Sequence, residues 1–168
     1  MTARVVAVVV VVALAPAASR AASAPRLWQV GVLGGPSWYV GVGDLRAVLG
    51  VTVSRTLWRY MEVGLLVRVS PNPDDLQLDL VFRSGARLAW RRLVATAAIS
   101  VGYSAVHTDP YEEGGVWTES LLLQPALGMG VVVHERLEVR AEVLTATFMY
   151  HRFWMAAWEP SLIVLYRF

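Results

Sequence analysis

From Leu76 to Trp90 the chain alternates with a period of two. Leu76, Leu78, Leu80, Phe82, Ser84, Ala86, Leu88 and Trp90 fall on one face, and Gln77, Asp79, Val81, Arg83, Gly85, Arg87 and Ala89 on the other. Successive side chains of a strand point to opposite faces, so this pattern predicts a β-strand with one apolar side and one side rich in ionisable groups. Whatever the chain folds into must keep charge on one side of such strands and apolar surface on the other, and where the apolar side points decides the class of protein.

The pattern recurs in eight segments. They are Leu27 to Gly34, Leu45 to Arg55, Leu57 to Val69, Leu76 to Trp90, Arg92 to Ala105, Trp117 to Val133, Leu137 to Met149 and Trp154 to Phe168. Connections after the first, third and fifth are long or turn-rich: Gly35 to Asp44, Ser70 to Asp75, and Val106 to Val116. The others are tight, around Arg55-Thr56, Arg91, His134-Glu135-Arg136 and Tyr150 to Phe153. Short connections join antiparallel neighbours. Eight such strands form an up-and-down meander that closes into a barrel without edges. Pro125 and Pro160 lack a ladder donor, so a bulge or break is expected at each.

The N-terminus is of a different kind. Arg4 precedes an apolar run from Val5 to Leu14, followed by Ala15-Pro16-Ala17-Ala18-Ser19. A charged start, a short apolar stretch and small residues read as a secretory signal peptide over residues 1–24, cleaved between 17 and 24, with a barrel domain over 25–168. The apolar run is too short for a spanning helix, which needs roughly 20 residues. No cysteine is present, which excludes disulfides, zinc-cysteine sites, a thiol nucleophile and a lipid-anchored cysteine. All 15 basic residues are arginine. This is read as the coding bias of a GC-rich genome, with selection for forked ion pairs as the alternative. The net charge is +2, and removal of Arg4 and Arg20 with the signal leaves 13 basic against 13 acidic residues. The basic pI is therefore no argument for nucleic-acid binding.

Three features put the apolar face outward. Trp28, Trp90, Trp117, Trp154, Tyr103, Tyr166 and Phe168 lie near strand ends, while Leu, Val, Ala and Ile fill strand middles. Aromatic girdles at two membrane interfaces have this distribution, although Phe82 and Trp158 fall outside it. The polar face is mostly small residues mixed with charges of both signs, which suits the narrow interior of eight strands. The inward charges are Arg46, Arg68, Arg83, Arg87, Arg92, Arg140 and Arg167 against Glu62, Asp79, Glu138, Glu142 and Glu159. Pairing is expected, because a buried unpaired charge costs several kcal/mol. Finally, Phe168 ends the chain after Tyr166, Val164 and Leu162 at alternate positions.

That C-terminal pattern is similar to the assembly signal of bacterial outer-membrane barrels. With the signal peptide and eight amphipathic strands, the chain resembles the small eight-stranded outer-membrane barrels of the OmpA and OmpX type. The resemblance is one of architecture over the whole mature chain, not of a diagnostic residue string. It implies periplasmic termini, short inner turns and longer outer loops. It also implies export to the bacterial outer membrane of a Gram-negative cell, contact with outer-membrane lipids and lipopolysaccharide, assembly through the C-terminal strand by the barrel assembly machinery, and a monomer. No nucleic-acid partner and no cofactor are expected.

Chemistry-bearing motifs are sparse. Lipid A-modifying barrels need a nucleophile and a base near the outer leaflet, and His107-Thr108-Asp109 and Tyr150-His151, near the outer ends of strands, can supply a base with an orienting carboxylate. The deacylase pattern His-x-Ser-Asn is missing, so ordinary loop histidines are the preferred reading and no catalytic residue is assigned. Asp109, Glu112 and Glu113 can bridge a divalent cation to lipopolysaccharide phosphates, but their spacing is not that of an EF-hand, and a solvated acidic turn is preferred. The expectation is an integral outer-membrane protein with a structural or interaction role and an interior plugged by paired charges. The alternatives are a lipid A-modifying hydrolase, a narrow small-solute pore and a soluble lipocalin-like barrel.

Overall fold

A computed structural model describes residues 28–41, 43–57, 60–72, 75–108, 116–152 and 154–168. The proposed signal peptide lies outside the described residues. Nine strand segments follow one another: β1 Trp28–Tyr39, β2 Leu45–Leu57, β3 Met61–Asn72, β4 Asp75–Trp90, β5 Leu93–Thr108, β6 Val116–His134, β7 Leu137–Tyr150, β8 Trp154–Trp158 and β9 Ser161–Arg167. From β1 to β8 successive segments pair antiparallel. The segments β8 and β9 are two halves of an eighth strand, both paired with β7 on one side and β1 on the other. The meander thus closes into an eight-stranded barrel and no edge remains for aberrant pairing.

The register fixes the barrel's shape. Partners run from Val30 through Val53, Leu65, Phe82, Val101, Leu123 and Phe148 to Ala156. The Ala156 carbonyl accepts from the Val40 amide at 2.8 Å. The circuit therefore returns to β1 ten residues beyond its start (40 − 30). Ten rises of about 3.3 Å set against eight spacings of about 4.8 Å tilt the strands by roughly 40°, within the usual range for barrels.

The strands are longer than the alternation alone implies. β1 continues through Gly34-Gly35-Pro36 to Tyr39, where a loop was expected, and pairs Pro36 with Ala47. Gly35 permits this, because a Cβ there would lie 2.0 Å from the Pro160 carbonyl oxygen. Only a bare backbone lets β1 pass that close to the neighbouring eighth strand. Pro160 does interrupt the eighth strand, as expected of a residue without an amide hydrogen. Pro125 does not break β6. The irregularity falls two residues on, where the partner of Leu127 is Leu144 but that of Gly128 is Glu142. Val143 is the extra residue of this bulge, so Val143 and Leu144 both face outward.

Side chains sort by face as the period of two requires. Along β4, Gln77, Asp79, Val81 and Arg87 are buried, whereas Leu76, Leu78, Leu80, Phe82, Leu88 and Trp90 are exposed. The apolar face is the outer one all round the barrel, with Val32, Val51, Val67, Val101, Leu121 and Leu162 among its exposed residues. So large an apolar surface is solvated by hydrocarbon, not by water. The tilt also sorts the rings. Trp28 and Trp38 are both exposed and stand ten positions apart on β1, about 25 Å along the barrel axis. At the end holding the tight turns, Trp28 is joined by Tyr60, Trp90, Tyr166 and Phe168; at the loop end, Trp38 is joined by Tyr103, Trp117, Tyr150 and Trp154. Trp158, an exception by strand position, pairs with Trp38 and belongs to the loop-end belt. Phe82 stays between the belts.

Candidate functional site

The inner face holds a chain of ion pairs in three groups. At the loop end, Arg46 donates to both oxygens of Asp75 at 2.6 and 2.9 Å and to Asp44 at 2.6 Å, and its guanidinium lies 4.9 Å from the Tyr39 ring centre. Both aspartates sit at strand entrances, so strand periodicity alone did not single them out.

The second group centres on Glu159, buried in the interior just before the break at Pro160. Its carboxylate accepts from Ser37 Oγ at 2.8 Å, Arg68 Nη1 at 2.6 Å and Gln124 Nε2 at 2.8 Å, and also from the Thr147 hydroxyl. Arg68 turns its other nitrogens on Asp79, at 2.7 and 3.1 Å. Gln77 donates to Asp79 at 3.0 Å and accepts from the Tyr39 hydroxyl. β1, β3, β4, β6 and β7 are thereby tied to the eighth strand across the lumen. Of the uncharged members, Gln77 and Gln124 carry no signal in the sequence beyond their inward parity; Ser37 and Tyr39 fall in the expected loop, and Thr147 faces inward only because the bulge at Val143 reverses the alternation of β7.

The third group lies nearer the turn end. Arg83 spans the lumen to Glu142, at 2.9 Å for its longer bond. Arg140 makes a forked pair with Glu62 at 2.7 and 3.0 Å and also holds Glu138. Glu138 is fully buried and takes Arg87 at 2.9 Å as well as Arg167. Gln29 bridges Arg140 at 3.3 Å to Thr56 at 3.0 Å.

Six arginines and seven carboxylates therefore meet in these pairs among the described residues. Of the twelve charged residues read from the sequence as inward, eleven lie inside: Arg46, Glu62, Arg68, Asp79, Arg83, Arg87, Glu138, Arg140, Glu142, Glu159 and Arg167. Arg92 does not. It is exposed in the turn between β4 and β5, beside Arg91 with its positive φ of 55°. The reversal of the chain there ends the strand's alternation, so parity no longer sets direction. The interior is not polar throughout. Leu33, Val48, Leu66, Val81, Leu122 and Leu165 pack among the ion pairs. Among the described residues, three of the spaces left between them are interior cavities of about 10 Å³ each, all lined in part by Arg83, with room for a single water apiece.

The histidines sit apart from this network. His107 packs on Trp117 with ring centres 4.7 Å apart. His151 Nδ1 donates to the Glu119 carbonyl at 2.8 Å. His134 Nδ1 accepts from the Arg136 amide at 3.4 Å. Asp109, Glu112 and Glu113, the candidate cation ligands, lie outside the described residues. The four alternating residues at the C-terminus lie on β9 and just after it; Leu162, Tyr166 and Phe168 are exposed on the outer wall, and Val164 is partly so.

No model of a known protein family matches the sequence, nor does any curated protein. Solved structures do share the architecture. Neisserial surface protein A superposes with a TM-score of 0.67 at 9% identity, over 84% of this chain and 96% of that one. Ail, the attachment invasion locus protein of Yersinia pestis, gives 0.59 at 10% identity, over 84% and 97%. The outer membrane enzyme PagL gives 0.54 at 10% identity, over 83% and 99%. Identities this low carry the fold and nothing finer. Closed eight-strand pairing, an apolar outer wall between two aromatic belts and these superpositions together give the chain the fold of the small eight-stranded antiparallel outer-membrane barrels.

Proposed function

We propose that this protein is a monomeric, non-enzymatic constituent of the bacterial outer membrane, in which it has a structural or interaction role, with its interior closed to solutes by the ion-pair network. The loop end faces outward, the turn end faces the periplasm, and Leu162, Val164, Tyr166 and Phe168 serve assembly by the barrel machinery. Lipids and lipopolysaccharide are the partners of its wall.

The observation that supports closure is the way Arg68, Arg83 and Arg140 cross the lumen to carboxylates on distant strands, leaving water-sized gaps. Such a barrel is a plugged cylinder, not a diffusion pore. Reconstitution into planar bilayers tests this: no stepwise conductance is expected, and regular ohmic steps from the wild-type protein overturn it. Fractionation with heat-modifiable gel migration tests the location, and recovery as a soluble periplasmic protein would refute it. Lipid A mass spectra with and without the protein test the non-enzymatic role; a lost or added acyl chain rejects it.

A further inference from the structure

The outer wall is not uniformly convex. Across β4 to β8 lies a groove of about 820 Å³, floored by Ser84, Ala97, Pro125 and Ala146. These small outward residues occupy the wall where neighbouring outward positions carry Leu, Val or Phe. Two further features shape the depression. The bulge at Val143 turns Leu144 fully outward along one side. At the far end the Trp158 indole forms a wall, fixed in place because its Nε1 donates to the Val143 carbonyl at 3.0 Å. The groove is therefore built from the bulge, with one backbone irregularity holding both the side and the end.

We infer that this groove is a binding site for a hydrocarbon chain of a lipid in the leaflet at the loop end. The inference rests on the reading that the apolar wall meets the bilayer. The lining is almost wholly apolar and carries no charged side chain, so a headgroup or a polar solute is not its ligand. Its position selects the leaflet. From Ser84 the pairing runs through Ile99 and Pro125, and from Ala146 to Trp158, so the groove crosses four strand spacings. At the barrel's tilt each spacing climbs about 3 Å along the axis. The groove thus rises from mid-membrane to the loop-end aromatic belt, the path of a chain hanging from a headgroup at that surface. A methylene takes about the volume of a liquid water, roughly 30 Å³, so the space holds on the order of 25 of them. That is more than one ordinary acyl chain. A second copy of the barrel fits less well, since a two-fold contact sets the same surface against itself and a groove facing a groove encloses a void.

The test uses the full-length mature barrel in phosphatidylcholine vesicles with graded fractions of brominated acyl chains. One variant keeps Trp158 alone, with the other six tryptophans changed to Phe; a second keeps Trp117 alone as a reference on the same belt. Trp158 is expected to be quenched at least twofold more strongly than Trp117 at a low fraction of brominated lipid. Filling the floor with Ala146→Phe, or more mildly with Ala97→Leu, is expected to remove that excess and leave Trp117 unchanged. Quenching of Trp158 that follows bulk lipid composition, or is indifferent to both fillings, overturns the groove. Protection of Trp158 that fades as protein is diluted in lipid assigns the surface to a second copy instead. If neither tryptophan is quenched, the lipid-facing wall itself is wrong, and that failure is distinct from failure of the groove.

Discussion

Glu159→Gln is the sharpest probe of the interior. The change keeps shape and removes one charge. In the native barrel the carboxylate takes four donors, three of them on Oε2: Arg68, Gln124 and Thr147. The fourth, Ser37, is on Oε1. A carboxamide offers one oxygen and one NH2, and the Ser37 hydroxyl accepts as well as donates, so one orientation keeps the hydrogen bonds and costs only the charge, whereas the other breaks them. If the oxygen replaces Oε2, Arg68 keeps a hydrogen bond but loses a counter-charge; Asp79 then neutralises it alone, at 2.7 Å. If the amide is reversed, three buried donors lose their acceptor. Each charge-assisted bond contributes about 1.5–3 kcal/mol, and breaking one side of a buried pair costs about 3–5 kcal/mol. The expected loss is about 3 kcal/mol, read as a lower urea midpoint for unfolding from lipid vesicles at unchanged slope. The control is Arg55→Gln at the exposed turn end, where the guanidinium lies 5.4 Å from the Trp28 ring; it is expected to cost under about 1 kcal/mol. A Glu159→Gln loss no larger than the Arg55 control would refute the claim that the network is buried and cohesive.

Three other expectations follow from the same geometry. Val101→Arg on the mid-wall should cost about 2–4 kcal/mol, while Leu93→Arg at the turn end should cost about 0–1 kcal/mol; equal costs in vesicle unfolding would contradict the depth assignment. Gly35→Ala sets a methyl against the Pro160 carbonyl, and about 1–3 kcal/mol of strain should lower the temperature at which the compact gel band converts. Arg83→Ala removes the side chain shared by the three interior cavities and leaves Glu142 without its arginine, so small conductance steps absent from the wild type should appear in planar bilayers.

Much of the architecture is legible in the residues. The rows from Leu76 to Trp90 and from Leu93 to Tyr103 fix both faces of β4 and β5, since a one-residue slip would reverse every side chain. Inward parity also located the charges of strand interiors, from Glu62 to Arg167. Reading failed where parity stops. Arg92 belongs to a turn, and Asp44 and Asp75 stand at strand entrances, so none has a face until the chain has been reversed. The segment Gly35 to Tyr39 looks like a loop, yet in a membrane wall its backbone groups must be laddered, because no water is there to satisfy them.

By itself the sequence determined a closed all-β barrel with apolar residues outside, because alternation, tight connections and paired inner charges admit few other solutions. Only the tertiary structure decided how those strands lean. The stagger of ten residues sets the tilt, and the tilt moves Trp158 into the loop-end belt, selects which carboxylate each arginine reaches across the lumen, and slants the groove beside the Val143 bulge. Stagger is a relation between strands distant in the chain, and no local pattern of residues encodes it.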